Sequence, residues 1–412
     1  MTIVEAVASA QVEITAPRTT QRAFHPSLGL PEDRLVYRPC PLFPSAEHCQ
    51  PANGVEAAGH QQHDFSVRIP PASVPLIFAH RQWRSGLILA DLLAAAAVEA
   101  SPSASSPWNV QGLTVLELGC GTGIPGMVAH RLGGASSTLV TDYDAPPLIE
   151  TLRFNVASNF EPAEIKTGIR AVGFSWGTNT EDLEDTMDTI RREKKRAGVA
   201  RGVESQASSS GGRFDRILLA DCVWDSLSHE VLLKSVSQLL AKPARAQETG
   251  KGGETHSTPL VLLVSGFHTG RETLLSFIRR AHRFGLVLQE APGSSSLLPA
   301  LPAEEELVVK QEQARLGEAS SASAYPLWNA PRFVCELELA AEDEEEAEAG
   351  VAAGDTGAPT TTTTTVIDAG RAPRLTGRRR AFVLEEREEE KKENGGVLIR
   401  NRWMTVFALG WA

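Results

Sequence analysis

Cysteine is scarce in this chain: five residues in 412, an odd count with no CxxC pair. That removes a disulfide framework and points to reduced thiols. Cys120 and Cys222 have no His or acid at ligand spacing, so both read as small buried side chains and no metal site is expected. Cationic excess is missing too. Forty Lys and Arg against 51 Asp and Glu leave a net charge of −11, which argues against a nucleic-acid binder with a basic face. The same acidity suits a basic protein partner. Long apolar runs are absent: the longest, Leu87 to Val98, is broken by Asp91 and is too short to span a bilayer. Met1 to Ala10 lacks a basic segment followed by an apolar core, so no secretion signal is expected. These absences together imply a soluble chain without membrane contact, placed in the cytoplasm.

What is present is enough for a core. The hydrophobic content is 42%, and the length allows one large domain or two ordinary ones. Residues 1–65 mix Pro, Ala, Gln and His without periodicity and read as poorly ordered, and residues 66–412 read as one domain. Trp83 to Glu99 carries apolar residues at helical spacing, with Ser85 as a cap. Strand-like and helix-like pieces then alternate. Strands are expected at Thr114–Leu118, Thr138–Thr141, Ile169–Phe174, Phe214–Ala220, Leu260–Ser265, Leu286–Gln289 and Trp403–Leu409. Such alternation predicts an α/β fold, a doubly wound, mostly parallel sheet with helices on both faces. Three stretches break the rhythm, at about 179–212, 244–257 and 341–396. Their charged, Ser-rich or Thr-rich composition reads as solvated loop or disorder, and the basic cluster Arg191–Arg196 as a solvated helix face.

The most specific stretch is Val115-Leu116-Glu117-Leu118-Gly119-Cys120-Gly121-Thr122-Gly123, a buried strand running into three close glycines. Backbone without Cβ lets a nucleotide approach closely. The glycines fit two frames. Gly119-x-Gly121-x-Gly123 is the frame of S-adenosylmethionine sites, while Gly121 to Gly126 satisfies the dinucleotide pattern GxGxxG. Asp142, ending the next strand, could hold ribose hydroxyls in either case. Glycines and Asp142 alone do not decide. The whole string with Glu117, and Trp176 after the third strand where a ring can lie against adenine, favour S-adenosylmethionine over NAD. Gly126 then becomes a helix-packing residue.

The string resembles motif I of class I S-adenosylmethionine-dependent methyltransferases. The wider set of motifs resembles one branch, the seven-strand protein lysine methyltransferases of family 16, which include nicotinamide N-methyltransferase-like proteins. The resemblance covers Leu76 to Gly177, Phe214 to Glu290 and Asn401 to Trp411. It implies a seven-strand Rossmann-like sheet with an antiparallel last strand. It also implies that Trp83, Glu117, Gly119, Cys120, Gly121, Gly123, Asp142, Trp176 and Ala220 surround S-adenosyl-L-methionine. Asp221 would face the acceptor. Family members commonly show Asp-x-x-Tyr or Asp-x-x-Phe there, whereas this chain has Asp221-Cys222-Val223-Trp224, which leaves the substrate in doubt.

The resulting expectation is an N-methyltransferase acting on a protein lysine or N-terminus, with a basic translation factor as one such partner and a monomeric enzyme. Asp221 would orient the acceptor amine and Trp224 would wall it, unless Asp221 merely caps a helix and Trp224 merely packs. A small-molecule N-methyltransferase, a catalytically silent binding module and an NAD oxidoreductase remain as alternatives. His229 and His268 read as surface or core residues, and Glu117 as either a site residue or a structural one.

Overall fold

Runs such as Val115-Leu116 and Ile217-Leu218-Leu219, all at most 1% exposed, belong to strands covered on both faces. They lie in the central sheet of a computed structural model that describes residues 27–43, 64–72, 78–98, 106–198, 213–243, 258–290, 296–318, 325–340, 366–369, 374–391 and 399–412. The sheet contains β1 (Thr114–Leu118), β2 (Ser137–Asp142), β3 (Ile169–Gly173), β4 (Arg216–Ala220), β5 (Leu260–Gly266), β6 (Leu286–Gln289), β7 (Cys335–Leu339), β8 (Leu375–Ala381) and β9 (Trp403–Trp411). Its order is β8-β7-β9-β5-β4-β1-β2-β3, with β6 also paired to β9. Strands β1 to β5 are mutually parallel, and β9 runs antiparallel to β5, as expected for a last strand. The sheet is wider than seven strands because β7 and β8 extend the β9 edge.

Helices α1 (Arg84–Val98), α2 (Ile124–Arg131) and α3 (Pro146–Asn159) cover one face. The other face is covered by α4 (Glu181–Ala197), α5 (His229–Leu239) and α6 (Arg271–Arg283). Helix α7 (Ala303–Glu318) packs beside β8. Among the described residues, no helix is long and apolar enough to cross a membrane.

The structure differs from the expectations where charge masked an apolar stripe. Within the 179–212 break, α4 buries Leu183, Met187 and Ile190, at i, i+4 and i+7. Its acids sit in the first turn and Lys194, Lys195 and Arg196 in the last, which complements the helix dipole. The basic cluster is thus only partly a solvated face, since Lys194 Nζ reaches Ser137 Oγ at 2.9 Å. Order also begins before Phe65. Arg34–Tyr37 pairs antiparallel with Phe65–Arg68 and parallel with Val366–Ala369, making a three-stranded sheet in which Arg34–Tyr37 and Val366–Ala369 come from segments expected to be loose. Asp91, the residue that interrupts the apolar run, is buried and accepts from Tyr37 Oη and Arg374 Nε, both at 2.7 Å. Ser85 is not a cap: α1 already starts at Arg84, and Ser85 is fully buried in its first turn. The expectations for residues 1–26, 199–212, 244–257 and 341–365 lie outside the described residues.

Candidate functional site

At the carboxyl end of β1 the chain turns through Gly119, Gly121 and Gly123, with φ of 66°, 54° and 81°. These left-handed values favour glycine. A Cβ on Gly119 would lie 2.9 Å from the Trp176 ring and 3.0 Å from Cys222 Sγ, so the turn also needs glycine for space. Asp142 holds the turn open: its Oδ2 accepts from Gly121 N and its Oδ1 from Tyr143 N, both at 2.7 Å. Glu117 Oε2 accepts from Gly126 N at 2.8 Å, fastening the start of α2. Burial pushes the Asp142 carboxyl up to about 6 and the Glu117 carboxyl up to about 8. Gly126 packs as expected, since a Cβ there would come within 2.3 Å of Val140.

A cavity of about 400 Å³ opens over this turn, bordered by Trp83, Glu117, Gly119, Cys120, Gly121 and Asp142. Trp176, Ala220, Asp221 and Trp224 close its other side. Gly123 does not border it. That glycine directly precedes α2, and a Cβ on it would meet Leu152 at 2.9 Å, so its requirement comes from packing. The cavity lies where strand order reverses around β1 and β4, at their carboxyl ends, the usual ligand crevice of open α/β sheets. Cys120 and Cys222 are buried beside it, and burial raises both thiols well above their ordinary range.

Residues that the motif did not indicate complete the walls. Thr122 Oγ1 donates to Gln82 Oε1 at 2.6 Å, and Asn155 Nδ2 donates to Thr122 O at 3.2 Å. Phe78, Tyr143 and Asp225 border the opening. Their only sequence signal is proximity to Trp83, Asp142 and Trp224, which was too weak to single them out.

On the acceptor side, Asp221 has φ 55°, a left-handed conformation for a residue with a Cβ. Its Oδ2 accepts from Ser85 Oγ at 2.9 Å, and its Oδ1 from Gly266 N at 3.2 Å and Ser265 Oγ at 3.4 Å. It caps no helix, since α5 begins at His229 after Ser228. Trp224 is half-buried, with its ring edge against Phe78 at 5.2 Å and 85°. His229 is a core residue, fully buried with Nε2 3.0 Å from Val223 O. His268 differs: it is stacked on Trp83 with centroids 5.2 Å apart and planes at 19°.

Comparisons with known proteins bear on this geometry. Residues 77–191 match the model of a family described as lysine methyltransferase. The chain is 31% identical over 159 residues to the "protein N-terminal and lysine N-methyltransferase efm7" of Schizosaccharomyces pombe, covering 39% of this chain and 49% of that protein. It is 29% identical over 200 residues to the like-named protein of Cryptococcus neoformans, covering 48% and 55%. The chain thus spans about half the length of the curated relatives it matches. A crystal structure of ribosomal protein L11 methylase from Lactobacillus delbrueckii aligns at 17% identity and a TM-score of 0.25, covering 49% of this chain and 71% of that one. Within the turn, the space beside Gly119 is taken by Trp176 and Cys222, while a Cβ on Gly121 would meet nothing closer than 3.9 Å. Residues 77–191, which match the lysine methyltransferase family model, thus carry the glycine turn and the first three parallel strands beside the crevice.

Proposed function

We propose that the protein is an S-adenosylmethionine-dependent N-methyltransferase acting on a lysine or the N-terminus of a protein. The observation that carries this reading is the Gly119–Gly123 turn under Trp176, opening toward Asp221 and Trp224 in one cavity. The bound donor supplies an electrophilic methyl group on a sulfonium. Gly119 and Gly121 would give it backbone contact, Asp142 would receive ribose hydroxyls, Trp176 would lie against adenine, and Trp83, Glu117, Cys120 and Ala220 would complete its surroundings. Asp221 orients the acceptor, and the Trp224–Phe78 pair forms an apolar wall with cation–π capacity. Positioning is the main contribution, worth up to ~7–11 kcal/mol for well-oriented reactants.

A protein acceptor is supported by the rim. Phe78, Tyr143 and Val231 at the opening are 43%, 47% and 42% exposed, and neighbouring Leu227 is 88% exposed. Such an apolar rim offers contact to a macromolecule, where a small amine would need an enclosed pocket. The finer reading is a cytoplasmic, monomeric enzyme acting on a basic protein such as a translation factor, supported by the net charge of −11. Incubation with labelled S-adenosylmethionine and a cell lysate, followed by mass spectrometry, tests it: a labelled protein is expected, and label confined to small molecules would reject it. Calorimetry should show binding of S-adenosylhomocysteine and none of NAD, and Trp176→Ala should weaken the former.

A further inference from the structure

Resting on the methyltransferase reading, we infer that His268 and Asp221 form a proton relay that takes up the proton lost by the acceptor ammonium and delivers it to solvent. The need arises from the acceptor. An amine of pKa ~10 holds its proton at neutral pH and has no free electron pair to attack with. Asp221 borders the cavity but is sealed, its side chain 4% exposed and ringed by Ser85, Ser265 and Gly266. A proton arriving there needs a way out. His268 supplies one: its Nε2 stands 4.0 Å from Asp221 Oδ1, an ion-pair distance for the protonated ring, and its side chain is 19% exposed.

Other charged groups near the pair make contacts of their own, as Arg81 of the cavity wall does in donating to Gly29 O at 2.6 Å. Arg84, in the first turn of α1, directs Nη1 to Ala340 O. Arg271, which opens α6, is held by Glu336 and Glu390. Asp225 accepts from Leu227 N and Ser228 Oγ. Glu117 and Asp142, the remaining carboxylates of the cavity, accept from the backbone of the glycine turn, α2 and Tyr143. The left-handed backbone of Asp221 is strained and persists where surroundings over-determine it, which Ser85, Ser265 and Gly266 do. The balance is simple. One N–H bond of the ammonium breaks, its electron pair stays on nitrogen, and the proton passes to the Asp221 carboxylate, then, once the 4.0 Å gap to Nε2 tightens to hydrogen-bond distance in the substrate complex, to neutral His268 and on to water. His268 acts through Asp221, so it is a positioning and relay residue.

The test uses methyl transfer to the labelled lysate protein. His268→Gln and His268→Phe should each lower kcat at least about tenfold and change the acid limb of the pH profile, with KM for the donor unchanged. His268→Phe keeps a ring against Trp83, so full activity in that variant would mean that stacking alone matters and would overturn the relay. A wild type that transfers no methyl group rejects the methyltransferase reading, whereas an active wild type with unaltered variants rejects only the relay.

Discussion

Gly119 concentrates two demands in one atom that is not there. Its φ of 66° disfavours a side chain, and its missing Cβ leaves room for Trp176 and Cys222. Gly119→Ala should therefore destabilise the protein by about 1–3 kcal/mol and displace Trp176. Urea unfolding and S-adenosylhomocysteine calorimetry measure the two losses separately. Gly121→Ala is the useful contrast, since a Cβ there meets nothing closer than 3.9 Å and the penalty is mainly conformational. Asp142 provides a pH dependence whose sign can be worked out. Burial raises its carboxyl to about 6, so the fold favours the neutral form. That stabilising contribution is complete below the ordinary carboxylate value and is lost as pH rises through about 6. Donor binding runs the other way, because the ionised carboxylate is the better acceptor for ribose hydroxyls. Affinity for S-adenosylhomocysteine should rise between pH 5 and 7, and Asp142→Asn should flatten the dependence. Motif spacing made the cavity residues legible because chemistry requires those residue types there. Gly123 was misread because a glycine needed for packing against Leu152 looks the same in sequence as one needed for ligand approach.

Elements were legible where burial imposes a period. Strands β1 to β6 and β9 and helix α1 stand close to the positions their apolar spacing indicated. Strand β7, with the sequence Cys-Glu-Leu-Glu-Leu, was hidden because Glu336 and Glu338 are buried at 0% and 2% exposure, and its charges looked solvated. The Arg34–Tyr37 strand, and its pairing with Phe65–Arg68, were hidden by a different device. Asn155 and Asn159, one turn apart on α3, imitate a neighbouring strand. Asn155 accepts from Arg68 N at 2.8 Å and donates to Arg68 O at 2.9 Å. Asn159 accepts from Ser66 N at 2.9 Å and donates to Ser66 O at 2.8 Å. The edge of the small sheet is satisfied by side chains, which no backbone pattern reveals. Asn155 also holds Thr122 O, so the N-terminal sheet is tied to the glycine turn. Asn155→Ala should cost about 1–3 kcal/mol by leaving those partly buried groups unpaired. Faster hydrogen exchange at Arg68 should accompany it, with slower change at β1.

At the scale of the whole molecule, a buried quartet of charges fastens the added strands to the sheet. Arg271 at the start of α6 meets Glu336 of β7 at 2.5 Å and Glu390 at 2.7 Å. Arg380 of β8 meets the same two carboxylates, each at 2.6 Å. All four side chains are at most 5% exposed, and their two positive and two negative charges cancel. Balance is what makes the arrangement tolerable, since desolvating any one charge alone is expensive. Glu336→Gln leaves two guanidinium groups sharing one buried carboxylate, with half-exposed Glu389 at 2.9 Å from Arg380 as the other acceptor, and should destabilise by about 3–5 kcal/mol, the range for breaking a buried pair from one side. Exposed pairs set the comparison: Arg279–Glu272, with side chains 35% and 77% exposed, should contribute under about 1 kcal/mol and weaken with salt. Urea unfolding of Glu336→Gln and Glu272→Gln at low and high ionic strength separates the two cases. The first loss should be large and nearly independent of salt, because solvent ions do not reach the quartet. A small or strongly screened loss would mean that β7 and β8 are held by their apolar faces, with the charges as bystanders.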